Sequence, residues 1–170
     1  MKLVLPSVEY KQSYLKAVEE GRDEVGATTL KKPKKDEPFE EFVKSIRSEA
    51  KGLNLPEGWV PATELWLIDK NEFIGRVSIR HTLNDHLLKI GGHIGYYIRI
   101  SKRKKGYGRA ILKLALQKAK KLGILKVLVT CDEGNIGSRK IIEANKGILE
   151  NIIEVGKKHP QKRRYWIKTE

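Results

Sequence analysis

The chain has 170 residues, 39% apolar and 33% charged, a composition that supports one packed domain and argues against global disorder. Its one cysteine, Cys131, excludes an internal disulfide framework, and four scattered histidines leave no Cys/His zinc spacing, so no metal is expected. The net charge of +14 lies entirely in residues 98–170, which hold 20 basic and 6 acidic side chains, while residues 1–97 balance 15 against 15. Such a field concentrates an anionic partner, whether a polyphosphate cofactor, nucleic acid or an acidic membrane surface, or it only solvates the fold with lysine.

In chain order, Lys2 to Leu5 read as a first strand stopped by Pro6. Ser7 is positioned to cap an amphipathic helix whose apolar face is Val8, Tyr14, Leu15 and Val18. Residues Gly26 to Glu37 are polar, lysine-rich and aperiodic, which predicts a loop. Phe39, Phe42, Val43 and Ile46 restore helical spacing, and that helix is expected to end near Gly52, before a loop over Asn54 to Pro61. Leu65 to Ile68 and Phe73 to Ile79 flank the polar turn Asp69-Lys70-Asn71-Glu72 and predict a hairpin. A third strand follows over His93 to Ile100, with Ile94, Tyr96, Ile98 and Ile100 on one face. Ala110 to Leu122 is a helix ended by Gly123, Lys126 to Cys131 a buried strand, and Asn135 to Ala144 a short helix. Two strands close the chain at Ile148 to Ile153 and Arg164 to Lys168. The order predicts a mixed α/β domain over 1–170, with about seven strands and four helices around one sheet. No apolar run approaches the roughly 20 residues that span a bilayer, and MKLVLPSVEY is not a targeting sequence, so a cytoplasmic protein without a membrane partner is expected.

The segment from Ile98 to Ala110 carries the chemistry. A strand runs out, the chain turns through Gly106 and Gly108, and a long helix begins. Glycines let a ligand approach the main chain, and the first N–H groups of a helix have no intrahelical acceptor. With Arg103, Lys104, Lys105 and Arg109 around them, these donors make a pyrophosphate cradle; the alternative is an ordinary basic turn before a helix. The segment lacks both the Gly-Lys-Ser/Thr ending of a P-loop and the third glycine of a dinucleotide fingerprint.

Arg103-Lys104-Lys105-Gly106-Tyr107-Gly108 fits R-x-x-G-x-G and resembles the acetyl-CoA signature of the GCN5-related N-acetyltransferase (GNAT) family. The element order from Lys2 onward is similar to that family's, and GGHIGYYIR, NKGILEN and RRYWI resemble a bacterial branch of predicted acetyltransferases. The resemblance covers the whole chain, most closely from 91 to 147. It implies acetyl-CoA as co-substrate and an amine as acceptor, meeting in a cleft where the fourth and fifth strands splay. Within it, Ile98-Arg99-Ile100 corresponds to the fourth strand beside the pantetheine arm, and residues 103–110, through Tyr107, Arg109 and Ala110, to the phosphate turn. Asn135 and Ser138 correspond to the Asn-x-x-Ala/Ser that contacts the cofactor.

Direct transfer sets three tasks. The amine must be neutral, yet with a pKa of about 10.4 only roughly one in a few thousand is uncharged at pH 7. Negative charge on the carbonyl oxygen needs donors, and the thiolate leaves more readily with a proton. The family's usual acid, a tyrosine seven residues beyond the asparagine, is replaced by Ile142. Tyr97, Tyr107, Tyr165 and Cys131 are substitutes, with Tyr97 the choice because it shares a strand face with His93. His93, opening the fourth strand with an ordinary pKa of about 6.5, is the expected base, and His81 the next candidate. Glu64, Asp132 and Glu133 are expected near strand ends, where they would hold a cationic substrate. Cys131 reads as a core thiol rather than a nucleophile.

Two other functions fit parts of the pattern. A nucleic-acid-binding module would use Arg103–Lys105, Lys118–Lys121 and Lys157–Arg164 as phosphate contacts, although no stacking aromatics interleave them. A CoA-binding regulator without turnover would account for Ile142. The oligomeric state is open between monomer and homodimer, because exposed strand edges invite pairing.

Overall fold

The computed structural model describes residues 1–24, 29–53, 55–156 and 159–169. Residues 26–28 of the expected loop, the loop residue Asn54 and the lysines at 157 and 158 lie outside the described residues. The elements are β1 (Lys2–Val4), α1 (Lys11–Glu20), α2 (Phe39–Ser48), β2 (Ala62–Asp69), β3 (Glu72–Arg80), α3 (Asp85–Lys89), β4 (Ile94–Ile98), α4 (Tyr107–Lys121), β5 (Lys126–Asp132), α5 (Ile136–Ala144), β6 (Ile148–Ile153) and β7 (Lys162–Lys168). The expected strands are present, and α3 adds a fifth, five-residue helix where Asn84 Oδ1 accepts from Leu87 N. Ser7 caps only a single 3₁₀ turn, Val8–Tyr10, which buries Tyr10 and leaves Val8 exposed, so the helix proper starts later and buries Tyr14 and Ala17.

The single sheet expected from the sequence is split in two. One has the order β1-β2-β3-β4 and the other β5-β7-β6, with every described pairing antiparallel. They meet at a seam of few bonds: His93 N donates to Leu128 O at 2.7 Å, Leu128 N donates to His93 Nδ1 at 2.9 Å, and Gly91 N donates to Thr130 Oγ1 at 2.9 Å. Gly92 permits that approach, since it holds φ +59° and a Cβ there would sit 2.4 Å from Leu128 O. Beyond the seam, toward Ile98 and Asp132, β4 and β5 have no ladder between them among the described residues.

Alternation of side chains across the strands builds two cores. On one face Leu65, Leu67, Val77, Ile79, Ile94 and Ile98 pack with Ile111, Leu112 and Ala115 of α4 and Ile142 of α5. On the other, Trp66, Ile68 and Phe73 meet Tyr14 of α1 and Phe39, Phe42 and Ile46 of α2. Tyr14 stacks on Trp66 with centroids 4.4 Å apart and donates its hydroxyl to Lys31 O at 2.8 Å, so the buried ring satisfies its polar end.

Candidate active site

β4 is shorter than the sequence suggested. It ends at Ile98, and Ile100–Lys102 form a 3₁₀ turn, leaving Arg99 and Ile100 outside the strand and Ile100 exposed. The reason is a polar clamp. Arg99 reaches Glu20 of α1 at 2.6 Å and Glu72 of β3 at 3.0 Å, while Ser101 Oγ donates to Glu20 at 2.9 Å. Arg99 is therefore a buried brace between α1, β3 and the turn.

The cradle follows. Lys104 and Gly106 take left-handed conformations, φ +59° and +84°, and Gly106 caps α4, which begins at Tyr107 rather than Ala110. The first α4 bond runs from Ala110 N to Gly106 O, so the N–H groups of Tyr107, Gly108 and Arg109 have no intrahelical acceptor. The space where a Gly106 Cβ would stand is open, with no atom of the described residues within 4 Å. Gly108 has a different task from the one its spacing suggests: its Cβ would lie 2.4 Å from Ile141 Cδ1, so it lets α4 and α5 close on each other.

The cations of this segment divide into two sets. Arg103 is committed, with both guanidinium NH groups on the Glu24 carboxylate at 2.6 and 2.8 Å, its Nε on Ile98 O at 3.0 Å, and its plane over the Tyr97 ring. Lys105 donates to Ser101 O at 3.0 Å, and Tyr107 Oη donates to Asp69 at 2.9 Å. Lys104 and Arg109 are exposed beside the open N–H groups. Asn135 caps α5, its Oδ1 accepting from Ser138 N at 2.9 Å.

His93 and Tyr97 share a face of β4, as alternation requires, but occupy unlike surroundings. The Nδ1 lone pair of His93 is held by Leu128 N–H, which puts the proton of the neutral ring on Nε2. Burial, and then Arg80, hold its pKa below the ordinary value. The Tyr97 hydroxyl is buried against α1 with no hydrogen-bond partner among the described residues, and burial together with Glu24 pushes its pKa up to about 12. His81 Nε2 is bonded to Thr63 Oγ1 at 2.8 Å.

Glu64 is not at a strand end. It lies within β2, buried, accepting from Trp66 Nε1 at 3.2 Å and 3.6 Å from the Arg76 guanidinium. Asp132 and Glu133 are paired with Lys162 and Arg163. Burial pushes the Cys131 thiol up to about 11, which leaves it protonated and a poor nucleophile at neutral pH.

One residue escaped the sequence reading. Tyr96 projects from β4 toward α5, its hydroxyl 2.8 Å from Ser138 Oγ, and burial raises its pKa to about 12. It alternates in step with Ile94 and Ile98, so its position alone marks it as core. That its hydroxyl meets Ser138 only becomes visible once α5 is placed.

A surface groove of about 470 Å³ beside Trp166 and Ile148 lies at the β6 edge and contains none of these residues. Among the described residues no cluster of His, Cys, Asp or Glu is placed to hold a metal ion, and no helix is long and apolar enough to cross a membrane.

The fold as a whole is similar to known structures. The microcin C7 self-immunity acetyltransferase, solved with acetyl-CoA and AMP, superposes with a TM-score of 0.70 at 15% identity, over 98% of this chain and 91% of that one. A ribosomal-protein-S5-alanine acetyltransferase of Vibrio fischeri gives 0.69 at 15% identity, over 99% and 92%. A spermidine N-acetyltransferase of Vibrio cholerae gives 0.65 at 14% identity, over 99% and 95%. No curated protein sequence matches the chain. The family model described as an acetyltransferase (GNAT) domain matches residues 11–147, and with that span of its sequence the chain belongs to the GNAT acetyltransferase family.

Proposed function

We propose that the protein transfers an acetyl group from acetyl-CoA directly to an amine. The observation that carries this reading is the cradle itself. Three helix-start N–H groups stand without intrahelical acceptors beside an open left-handed glycine, at the mouth of an unpaired strand edge. The residues present fit a pyrophosphate: the N–H groups of Tyr107, Gly108 and Arg109 donate, and Lys104, Lys105 and Arg109 supply charge. Ala110 continues the helix whose dipole adds to that field. Bound there, acetyl-CoA supplies the thioester. Ile98 and the β4 edge line the arm's path, and Asn135 and Ser138 form its α5 side.

Roles of the remaining residues follow from their partners. Arg99 and Arg103 position the turn rather than grip phosphate, since their guanidiniums are spent on Glu20, Glu72 and Glu24. Ile100 stands at the surface of the same turn. His93 holds the seam and is a positioning residue. Its Nδ1 is occupied, so it offers a substrate only the Nε2 proton. Tyr97 is a buried strut beneath α1. Tyr96 Oη keeps its proton at neutral pH and, in place of the tyrosine replaced by Ile142, donates toward the departing sulfur from the cleft side of β4.

Titration calorimetry with acetyl-CoA, at two salt concentrations, tests the reading. Binding is expected in the micromolar range and is expected to survive moderate salt. Gly106→Val should remain folded, at a cost of about 1–2 kcal/mol for a left-handed β-branched residue, and lose the affinity. A folded variant with unchanged affinity would overturn the cradle.

A further inference from the structure

The register places three rows of side chains on the α1/α2 face of the first sheet. Trp66, Arg76 and Tyr97 lie opposite one another, then Glu64, Ser78 and Gly95, then Ala62, Arg80 and His93, the last pair joined by Arg80 N donating to His93 O at 2.8 Å. The first row is buried beneath the helices. In the next two, Ser78, Gly95, Ala62, Arg80 and His93 are all partly exposed. The helical cover therefore stops short, and an open strip of sheet runs to the seam where β4 and β5 begin to part. It lies on the opposite face from Tyr96 and α5.

The charges of that strip do not balance. Its carboxylate is Glu64, shared with Arg76 at 3.6 Å, and Arg76 also donates to Thr29 O at 3.0 Å while its buried Nε has no partner among the described residues. Arg80 has no carboxylate partner among the described residues. One of its guanidinium nitrogens donates to Gly91 O and Gly92 O at 3.1 and 3.0 Å, which fixes the plane but leaves the charge uncompensated. Burial, and the like charge of Arg76, lower its pKa. A half-buried guanidinium held by carbonyls, one edge still reachable, is a receptor for a planar or tetrahedral oxyanion.

We propose that the acceptor is an amine carrying an anionic group, a carboxylate or a phosphate, which Arg80 receives in this strip while the amine reaches the seam. This rests on the acetyltransferase reading and specifies its substrate class.

The test measures thiol release from acetyl-CoA with matched acceptors: the tripeptides Ala-Glu-Glu, Ala-Gln-Gln and Ala-Lys-Lys, and O-phosphoethanolamine against ethanolamine. The anionic member of at least one set should be favoured by about tenfold or more in kcat/KM, the worth of one charge-assisted contact. Arg80→Gln should collapse that ratio toward one, and Arg80→Lys should restore part of it. Whether the peptide or the phosphate set responds tells carboxylate from phosphate. Preference for the neutral or basic members, an equal loss for all acceptors in Arg80→Gln, or no turnover of any of them by enzyme that binds acetyl-CoA would overturn the proposal. Failure to bind acetyl-CoA at all would remove the acetyltransferase reading and this one with it.

Discussion

At the level of single residues, His93 shows how a side chain's ordinary chemistry yields to its partners. Its pKa suits a base, but the only lone pair of the neutral ring accepts from Leu128 N–H, so protonation would break the seam. Because burial and Arg80 depress its pKa in the fold, the unfolded chain binds the extra proton first as pH falls. The stability this residue contributes is complete above about pH 6.5 and drains away below it. Thermal melts across that window should show a fall in the wild type that His93→Asn lacks, since Asn Oδ1 can take the place of Nδ1. Above about pH 6.5 His93→Ala should be less stable by about 1–3 kcal/mol, having left a strand N–H without an acceptor, and the deficit should shrink below that pH. For Tyr96, replacement by Phe should lower kcat by about tenfold or more with any accepted amine and leave acetyl-CoA affinity nearly unchanged. Equal losses in both would make the ring a packing residue.

Among elements, α4 and α5 depend on Gly108 for their separation. Gly108→Ala puts a methyl group into Ile141 Cδ1 and should cost about 1–3 kcal/mol. Ile141→Val removes that atom, so the double variant should recover most of the loss in chemical denaturation, a coupling that separates helix packing from ligand approach. The turn after β4 depends on α1 in the same way. Removing the Arg99 guanidinium, as in Arg99→Met, leaves Glu20 with Ser101 and Glu72 with Lys102 and should cost about 1.5–3 kcal/mol. The effect should shrink as pH falls through the range where the unfolded carboxylates protonate, because Arg99 and Ser101 hold the Glu20 pKa below its usual value and that stabilisation exists only above it.

Over the whole molecule, the neutral and basic halves of the chain complete each other. Glu20, Glu24 and Glu72 come from the first half and neutralise Arg99, Lys102 and Arg103 of the second. Lys162, Arg163 and Arg164 are likewise engaged by Asp132, Glu133 and Glu150. Of the cations a nucleic-acid module would have offered to phosphates, Arg103, Lys162, Arg163 and Arg164 are committed in this way, which weakens that reading. Acetyl-CoA at 100 times its Kd should add about 2.7 kcal/mol, or roughly 5–10 °C in Tm for a chain of this size. A structured RNA at equal charge concentration should add little. A larger shift with RNA than with acetyl-CoA would reverse the assignment.

The sequence alone determined the strands, the four longer helices and the glycine turn into α4. Those features are written locally, in periodicity, in Gly106 and Gly108, and in the bounds set by Pro6 and Gly123. The resemblance carried by Arg103 to Gly108, by the element order and by the stretches GGHIGYYIR, NKGILEN and RRYWI led to the family. Only the tertiary structure decided which charges are free. Whether Arg103 meets a phosphate or Glu24, whether Glu64 sits at a strand end or beneath α2, and whether His93 Nδ1 faces substrate or Leu128 depend on residues tens of positions away. Tyr96 and Arg80 were hidden for the same reason. A strand's alternation tells which face a side chain takes, and the packing of other elements tells what that face meets.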